Sequence, residues 1–339
     1  MNHPKILFYT FLFICSAFIG CNSKKQQTQT NKYSIPELNI ATSEIDQNPK
    51  DPNRWINRAV IFSKNNMYNE SVADIATAMK IDSMNVDYHH LLADVYLKMA
   101  NSSLALITVE RAEKLEPTNV KNLIKTARVY IILKQYDRGL NALNEAIRID
   151  PLNAEAFQYI GISFKEMGDT TRAINAFQTA TENDHEMIDA WLNLGQLYHA
   201  KKNPLAARYF DNALAIKPND PIVMHMKADY LYQTNKIQES IGLYKSIIEN
   251  HREYNEAYYN LGTIYYNLDS LDLALKHFKL LTTQDPLSYQ GVYMQGVVYE
   301  AMGDLQAAYD QYLKSTKMVI GYEDGEKATK RLKAKLNIK

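Results

Sequence analysis

Residues 188–220 read IDAWLNLGQLYHAKKNPLAARYFDNALAIKPND, and the spacing inside this stretch decides the fold. Gly195 follows Trp191 and Leu194 and is followed three residues later by Tyr198. Further on, Ala206 is followed four residues later by Phe210, and Pro218 closes the stretch. Spacings of three and four put these residues on one helical face. The small ones let two helix backbones approach, and the large ones fill the space beside them. The same arrangement recurs along most of the chain. Ala59, Ala93, Ala127, Gly161 and Gly195 stand 34 residues apart, Ala228 follows after 33, and Gly262 and Gly296 resume at 34. Each is followed by a bulky residue, from Phe62, Tyr96 and Tyr130 through to Tyr265 and Tyr299. A second ladder runs through Ser71, Ala105, Gly139, Ala173, Ala206, Ser240, Ala274 and Ala308, and each of these also has a bulky residue four positions on. A period of this length marks stacked helix pairs, in which no single pair can bury its apolar face alone.

Prolines close the units at Pro117, Pro151, Pro218 and Pro286, with Ser83, His185 and Arg252 as substitutes. Proline ends one helix and admits the next because it lacks an N–H and clashes with the preceding turn. Within a unit the helices are joined by turns such as Met167-Gly168-Asp169 and Met302-Gly303-Asp304. There glycine suits a left-handed cap and aspartate suits the start of the next helix.

The pattern W-x2-L-G-x2-Y, then A-x3-F, then P resembles the tetratricopeptide repeat family. Trp191, Leu194, Gly195, Tyr198, Ala206, Phe210 and Pro218 match it without exception, and Tyr258, Leu261, Gly262, Tyr265, Ala274, Phe278 and Pro286 nearly so. The resemblance implies an all-α fold: a right-handed superhelical solenoid of eight helix pairs with a capping helix at each end. The repeats expected are 52–85, 86–119, 120–153, 154–187, 188–220, 221–254, 255–288 and 289–322. The fifth is one residue short in its inter-helix turn, around Lys201-Lys202-Asn203-Pro204. The sixth has Arg252 in place of its closing proline. Ile247 and Leu281 are bulkier than Ala112, Ala146, Ala180 and Ala213 at the same position. These departures fit either repeat drift or a local change of curvature around repeats five to seven.

The ends of the chain read differently. Lys5 precedes an apolar run, Ile6 to Gly20, that is long enough for a signal peptide core and short for a membrane span. Its end, Phe18-Ile19-Gly20-Cys21, resembles a bacterial lipobox, which implies a signal peptide over 1–20 and a lipid on Cys21. An uncleaved signal anchor or an ordinary cleaved signal is the alternative. The only cysteines are Cys15 and Cys21, so cleavage before Cys21 leaves no intramolecular disulfide. Residues 21–34 read as the lipidated cysteine and a flexible tether, free of aliphatic side chains beyond it. Residues 35–51 read as an N-terminal capping half-repeat, with Pro49 six residues before Trp55 as Pro151 is before Phe157. Residues 323–339 read as a basic capping helix, with Ala328, Leu332 and Leu336 on one face and six basic residues around it. An anionic-lipid or nucleic-acid patch is the other reading of that helix.

Charge gives no footprint for nucleic acid, since 38 basic residues balance 38 acidic ones. The eight histidines form no metal-ligand spacing, and there is no phosphate loop or nucleophile elbow. The chain therefore reads as non-catalytic, with no cofactor and no metal. The family resemblance places a groove along the first helices, and its inward positions include His225, Tyr232, Tyr259, Tyr266 and Tyr293. Asn57, Asn193 and Asn260 stand two residues before the small ladder residue, where family members hydrogen-bond a peptide backbone. A tyrosine-lined groove suits an extended segment or a partner helix. The same tyrosines also suit packing between neighbouring first helices with only their hydroxyls wet. The basic carboxylate clamp of chaperone-binding members is not apparent, because Lys121, Lys125 and Arg128 lack the matching Asn and Lys in adjacent repeats.

The expected function is a lipid-anchored scaffold that binds protein or peptide partners in a bacterial envelope. It resembles the lipoproteins that serve outer-membrane protein insertion, pilus-secretin assembly and regulation of envelope hydrolases. Asn22, in place of an inner-membrane retention aspartate, favours the outer membrane facing the periplasm. The alternative is an envelope receptor for a glycan or peptidoglycan fragment in the tyrosine-rich groove. The lipid assignment is directly testable. A Cys21→Ser variant is expected to lose labelling by a fatty-acid probe and to leave the membrane fraction; continued labelling of that variant would refute the assignment.

Overall fold

The computed structural model describes residues 33–338 and is entirely helical over them. The expected signal peptide 1–20, Cys21 and the expected tether up to residue 32 lie outside the described residues. The chain divides into two compact units, one ending at Ser83 and the other beginning at Met84.

In the first unit, α1 (Pro36–Gln47) precedes the pair α2 (Pro52–Lys64) and α3 (Tyr68–Ile81). Leu38, Ala41 and Ile45 form the buried stripe of α1. A bidentate ion pair ties the three helices together. Arg58 donates from Nε and one Nη to Asp74 at 2.7 and 2.8 Å, and its other Nη reaches the Thr42 hydroxyl at 3.0 Å. Both charged side chains are largely buried, so breaking the pair would strand one of them. Tyr33 and Ser34, assigned to the tether from the sequence, belong to this unit. The Tyr33 N–H donates to Asn39 Oδ1 at 3.0 Å, Asn39 returns a bond to the Tyr33 carbonyl at 2.7 Å, and the Tyr33 ring meets Phe62 edge-on at 5.5 Å. An aromatic ring can bury useful area even where the surrounding segment is polar.

The second unit holds seven further pairs and a closing helix. Their first helices are α4 (Val86–Lys98), α6 (Val120–Ile132), α8 (Ala154–Glu166), α10 (Ile188–Ala200), α12 (Pro221–Gln233), α14 (Asn255–Asn267) and α16 (Tyr289–Ala301). The second helices are α5 (Ser102–Leu115), α7 (Tyr136–Ile149), α9 (Thr170–Asn183), α11 (Ala206–Ile216), α13 (Ile237–Asn250), α15 (Leu271–Gln284) and α17 (Leu305–Met318), and α18 (Glu323–Lys335) follows. Each helix packs mainly on its sequence neighbours, as the period requires. On α18, Ala328 and Leu332 are buried and its lysines stay exposed.

The turn inside each pair is closed by one bond. The N–H five residues beyond the bulky ladder residue donates back to that residue's carbonyl: Asn101 to Tyr96 at 2.8 Å, Asp169 to Phe164 at 2.8 Å, Asp304 to Tyr299 at 3.0 Å. This is the six-to-one bond of a Schellman cap, and it needs one residue with positive φ. Gly168 and Gly303 take that place at +81° and +84°, and Asn66, Ala100, Lys134, Lys202, Asn235 and Asp269 take it elsewhere. Asp169 and Asp304 also accept N–H bonds from Arg172 and Ala307, capping the helices they begin. The fifth pair keeps this closure, with Lys202 at +54° and Asn203 bonded to the Tyr198 carbonyl at 2.9 Å. The missing residue comes instead out of the first turn of α11, which is 11 residues long where its counterparts have 14.

The small ladder residue sets how closely the paired helices approach. Glycine stands opposite an aromatic ring and alanine opposite an aliphatic side chain: Gly161 with Phe177, Gly195 with Phe210, Gly262 with Phe278 and Gly296 with Tyr312, against Ala59 with Ile75, Ala93 with Val109 and Ala127 with Leu143. Ala228 with Tyr244 is the exception. A Cβ added at Gly195 would lie 2.8 Å from the Phe210 ring, and one at Gly161 would lie 2.7 Å from Phe177. Gly242, on the outer face of α13, has nothing within 4 Å of its Cβ position. One substitution should therefore change sign with position. Gly195→Ala is expected to destabilise by about 1–3 kcal/mol through overpacking. Gly242→Ala is expected to stabilise by roughly 0.5–1 kcal/mol through helix propensity. Urea unfolding of the two variants checks this, and equal signs would refute the steric account.

Candidate functional site

The first helices of pairs six to eight carry the groove residues expected from the sequence. Asp220 starts α12, capping the N–H groups of Ile222 and Val223 at 2.9 and 3.3 Å, with Pro221 at its first position. Ser288 starts α16 by accepting from the Gly291 N–H at 3.2 Å. The residue opening α14 is Tyr254, which makes no capping bond. In the earlier pairs Asp51, Asn85, Asn119 and Asn153 fill the cap position and accept a backbone N–H, while Met187 opens α10 without a cap bond. Tyr322, opening α18, likewise does not cap.

Both tyrosines reach back to a residue on the first helix of the preceding pair. The Tyr254 hydroxyl lies 3.0 Å from His225 Nδ1, with the two rings perpendicular at 5.7 Å. The Tyr322 ring meets Tyr293 at 5.3 Å and Tyr289 at 4.9 Å, edge to face in each case. An omitted cap costs about 1 kcal/mol, and here the ring contacts and the hydroxyl bond offset it.

His225 is the hub of a polar network. Its Nε2 lies 3.0 Å from the Asn260 amide nitrogen and 3.1 Å from Asp229 Oδ2. Asn260 also donates to the Tyr244 hydroxyl at 3.0 Å, and Tyr244 donates a short bond to Asp229. Burial works against the Asp229 charge, but the bonds from His225 and Tyr244 outweigh it and hold this carboxyl below the usual range. Burial, and then the Asp229 carboxylate, push the Tyr244 hydroxyl far above its ordinary value. Tyr244 thus remains a neutral donor. Its ring belongs to the core between α12 and α13 while its hydroxyl reaches Asp229 and Asn260. The sequence marks Tyr244 only as a ladder residue; the signal that could have found it is a hydroxyl where Phe177, Phe210 and Phe278 have none.

The remaining expected residues divide into three groups. Tyr232 accepts from Asn267 at 2.7 Å, and Tyr266 packs half-buried on the same core. Tyr259 meets Phe278 edge-on at 5.8 Å, and Tyr293 lies 5.2 Å from Tyr312. These tyrosines pack on the pair interiors and keep part of each ring exposed. Asn193 belongs to an earlier part of the face, on α10, where it donates to the Asp189 carbonyl at 2.8 Å and accepts from Lys165 at 2.7 Å. Asn57 is exposed on α2 in the first unit. The structure therefore joins His225 to Asn260 directly and aligns Tyr259 with Tyr293, but leaves Asn57 and Asn193 outside that cluster. Lys121, Lys125 and Arg128 are met by Asp87 and Asp94 at 2.5, 2.7 and 3.4 Å.

A double-mutant cycle measures the hub. Tyr254→Phe is expected to cost about 1 kcal/mol, the worth of one hydrogen bond, in the native background. It should cost close to nothing in a His225→Leu background. Equal costs in both backgrounds would show that the hydroxyl does not act through His225.

The comparisons with known proteins concern this same array. Two tetratricopeptide repeat family models match, one over residues 160–221 and 225–289 and the other over 122–151, and together they run through pairs three to seven. Anaphase-promoting complex subunit CDC16 of Saccharomyces cerevisiae is 22% identical over 256 residues, covering 73% of this chain and 30% of that protein. The Hsp70-Hsp90 organizing protein of Triticum aestivum is 24% identical over 213 residues, covering 61% of this chain and 36% of that protein. The chain thus spans about a third of the length of these curated relatives. Among solved structures, the APC/C hetero-tetramer Cut9-Hcn1 aligns with a TM-score of 0.53 at 16% identity, covering 86% of this chain and 57% of that one. A tetratricopeptide repeat protein from Parabacteroides merdae aligns with a TM-score of 0.51 at 16% identity, covering 73% and 98%. Both structural likenesses speak for the fold alone. The matched stretches run through the same helix pairs as the ladders of small and bulky residues, and the chain belongs to the tetratricopeptide repeat family.

Proposed function

We propose that this protein is a non-catalytic scaffold of the bacterial cell envelope, held by a lipid on Cys21, that binds a protein or peptide partner along the first helices of pairs six to eight. The observation that carries the partner site is the alignment of Tyr259 and Tyr293 at one position of consecutive repeats, each packed on an aromatic side chain of its own pair. Rings fixed in this way present contact area at little further entropy cost, as binding anchors do. The relatives agree in kind: one is named as a subunit of a multiprotein complex, the other as an organiser of Hsp70 and Hsp90. The lipid and the envelope location rest on the apolar run ending in Gly20-Cys21.

Burial raises the pKa of Tyr293, with Asp324 adding to the effect, so its hydroxyl stays a neutral donor across physiological pH. A partner carbonyl could accept from it. The double substitution Tyr259→Ala, Tyr293→Ala is expected to weaken partner binding by at least ~2 kcal/mol, a typical loss for an anchor. Crosslinking in native envelopes, with helical content followed by circular dichroism, checks this. Undiminished crosslinking of a folded double variant would remove the groove from consideration.

A further inference from the structure

Lys165 is the exception among the basic side chains on the first helices of pairs three to six. It lies half-buried near the end of α8, and its Nζ donates to Asn193 Oδ1 at 2.7 Å and Gln196 Oε1 at 3.1 Å. Both acceptors are neutral. The other basic side chains on α6 and α12 all have carboxylate partners: Lys121 and Asp87, Lys125 and Arg128 with Asp94, Lys227 and Asp211. Among the described residues Lys165 makes no ion pair. Burial lowers its pKa, and Glu166, next along the helix, opposes the shift. An ammonium removed from water without a counter-ion is costly, and an incoming anion would recover that cost. One of its three N–H donors remains free, as does the side-chain amino group of exposed Gln196.

Gln196 also borders a cleft of about 380 Å³ between α10 and α12. Phe210, Met226 and Tyr230 give it an apolar lining, and His199 and Gln233, bonded at 2.8 Å, stand at its edge. Asp229 also lines it, and its carboxyl is held ionised by the network described above. A second negative charge would be repelled from the cleft and drawn to Lys165.

We propose that Lys165, Asn193 and Gln196 form a subsite for an aspartate or glutamate side chain of an extended partner segment, and that the adjoining cleft takes an apolar neighbour of that residue. The proposal rests on the scaffold reading and extends its groove towards pair four. It concerns an internal side chain, so it does not require a free C-terminus.

Pools of N-acetylated, C-amidated, fluorescently labelled octapeptides test it, randomised except for a central residue fixed as Glu or Gln. Binding to the full chain is read by fluorescence polarisation at low salt. The Glu pool should bind roughly tenfold or more tightly than the Gln pool, the worth of a charge-assisted hydrogen bond. Lys165→Met should abolish the preference, while Lys165→Arg should keep it, with circular dichroism confirming that both variants fold. Equal binding of the two pools, or a preference that survives Lys165→Met, overturns the subsite. A matched set of pools synthesised with a free C-terminal carboxylate is the control: a gain seen only in that set overturns the assignment to a side chain. The Tyr259→Ala, Tyr293→Ala variant separates this inference from the one it rests on. If that variant weakens both pools alike while no Glu preference exists, only the subsite fails. If it weakens neither, or if no pool binds the native chain, the groove reading fails with it.

Discussion

The distance between the two helices of a pair, fixed where a small ladder residue faces the side chain opposite, is the constraint on which the rest of this structure depends. Gly161, Gly195, Gly262 and Gly296 leave no room for even a methyl group, because an aromatic ring occupies the space a Cβ would take. Where the opposing residue is Ile75, Val109 or Leu143, alanine suffices. Protein interiors are packed to crystal density, so ring and glycine must be exchanged together or not at all. With this distance set, the bulky residue three positions on falls at the end of the first helix. Its carbonyl then meets the N–H that closes the turn.

That closure tolerates much more variation than the packing does. Glycine, asparagine, alanine, lysine and aspartate all adopt the positive φ that the turn needs. A single left-handed residue costs roughly 1–2 kcal/mol when it is not glycine, and the capping bonds and the buried helix faces outweigh it. The fifth pair shows the order of priority. It loses a residue yet keeps both the Gly195–Phe210 approach and the turn bond to Tyr198, at the expense of the first turn of α11.

The candidate groove is where local rules give way. Tyr254 and Tyr322 stand where six other helices carry a capping side chain. They exchange a local bond for contact with the preceding pair. Ala228 and Tyr244 break the pairing of glycine with aromatic, and the Tyr244 hydroxyl emerges beside Asp229 and Asn260. Lys165 lies half-buried with only amide oxygens for partners. Departures from otherwise consistent local choices gather at functional sites, because function is the competing demand. All of these departures except Tyr322 fall between pairs four and seven, and Tyr322 adjoins the tyrosines of pair eight.

The sequence by itself determined the helix pairs, their order and the faces they bury. Those follow from periodicity and from residue size, which are local and repeat eight times over. It also placed Tyr259 and Tyr293 in register, since identical spacing in identical units maps to identical positions. The tertiary structure alone decided what the polar groups do. Asn260 places its amide nitrogen 3.0 Å from both His225 Nε2 and the Tyr244 hydroxyl, and Asn193 is held by Lys165 and the Asp189 carbonyl. Tyr33, read as part of a tether, proved anchored to Phe62 and Asn39. Apart from the Asp189 carbonyl and Asn39, which are near in sequence, these partners lie about a repeat apart or across a helix pair, and their pairing depends on distance and direction in space. A period records which residues share a face, but not which of them touch.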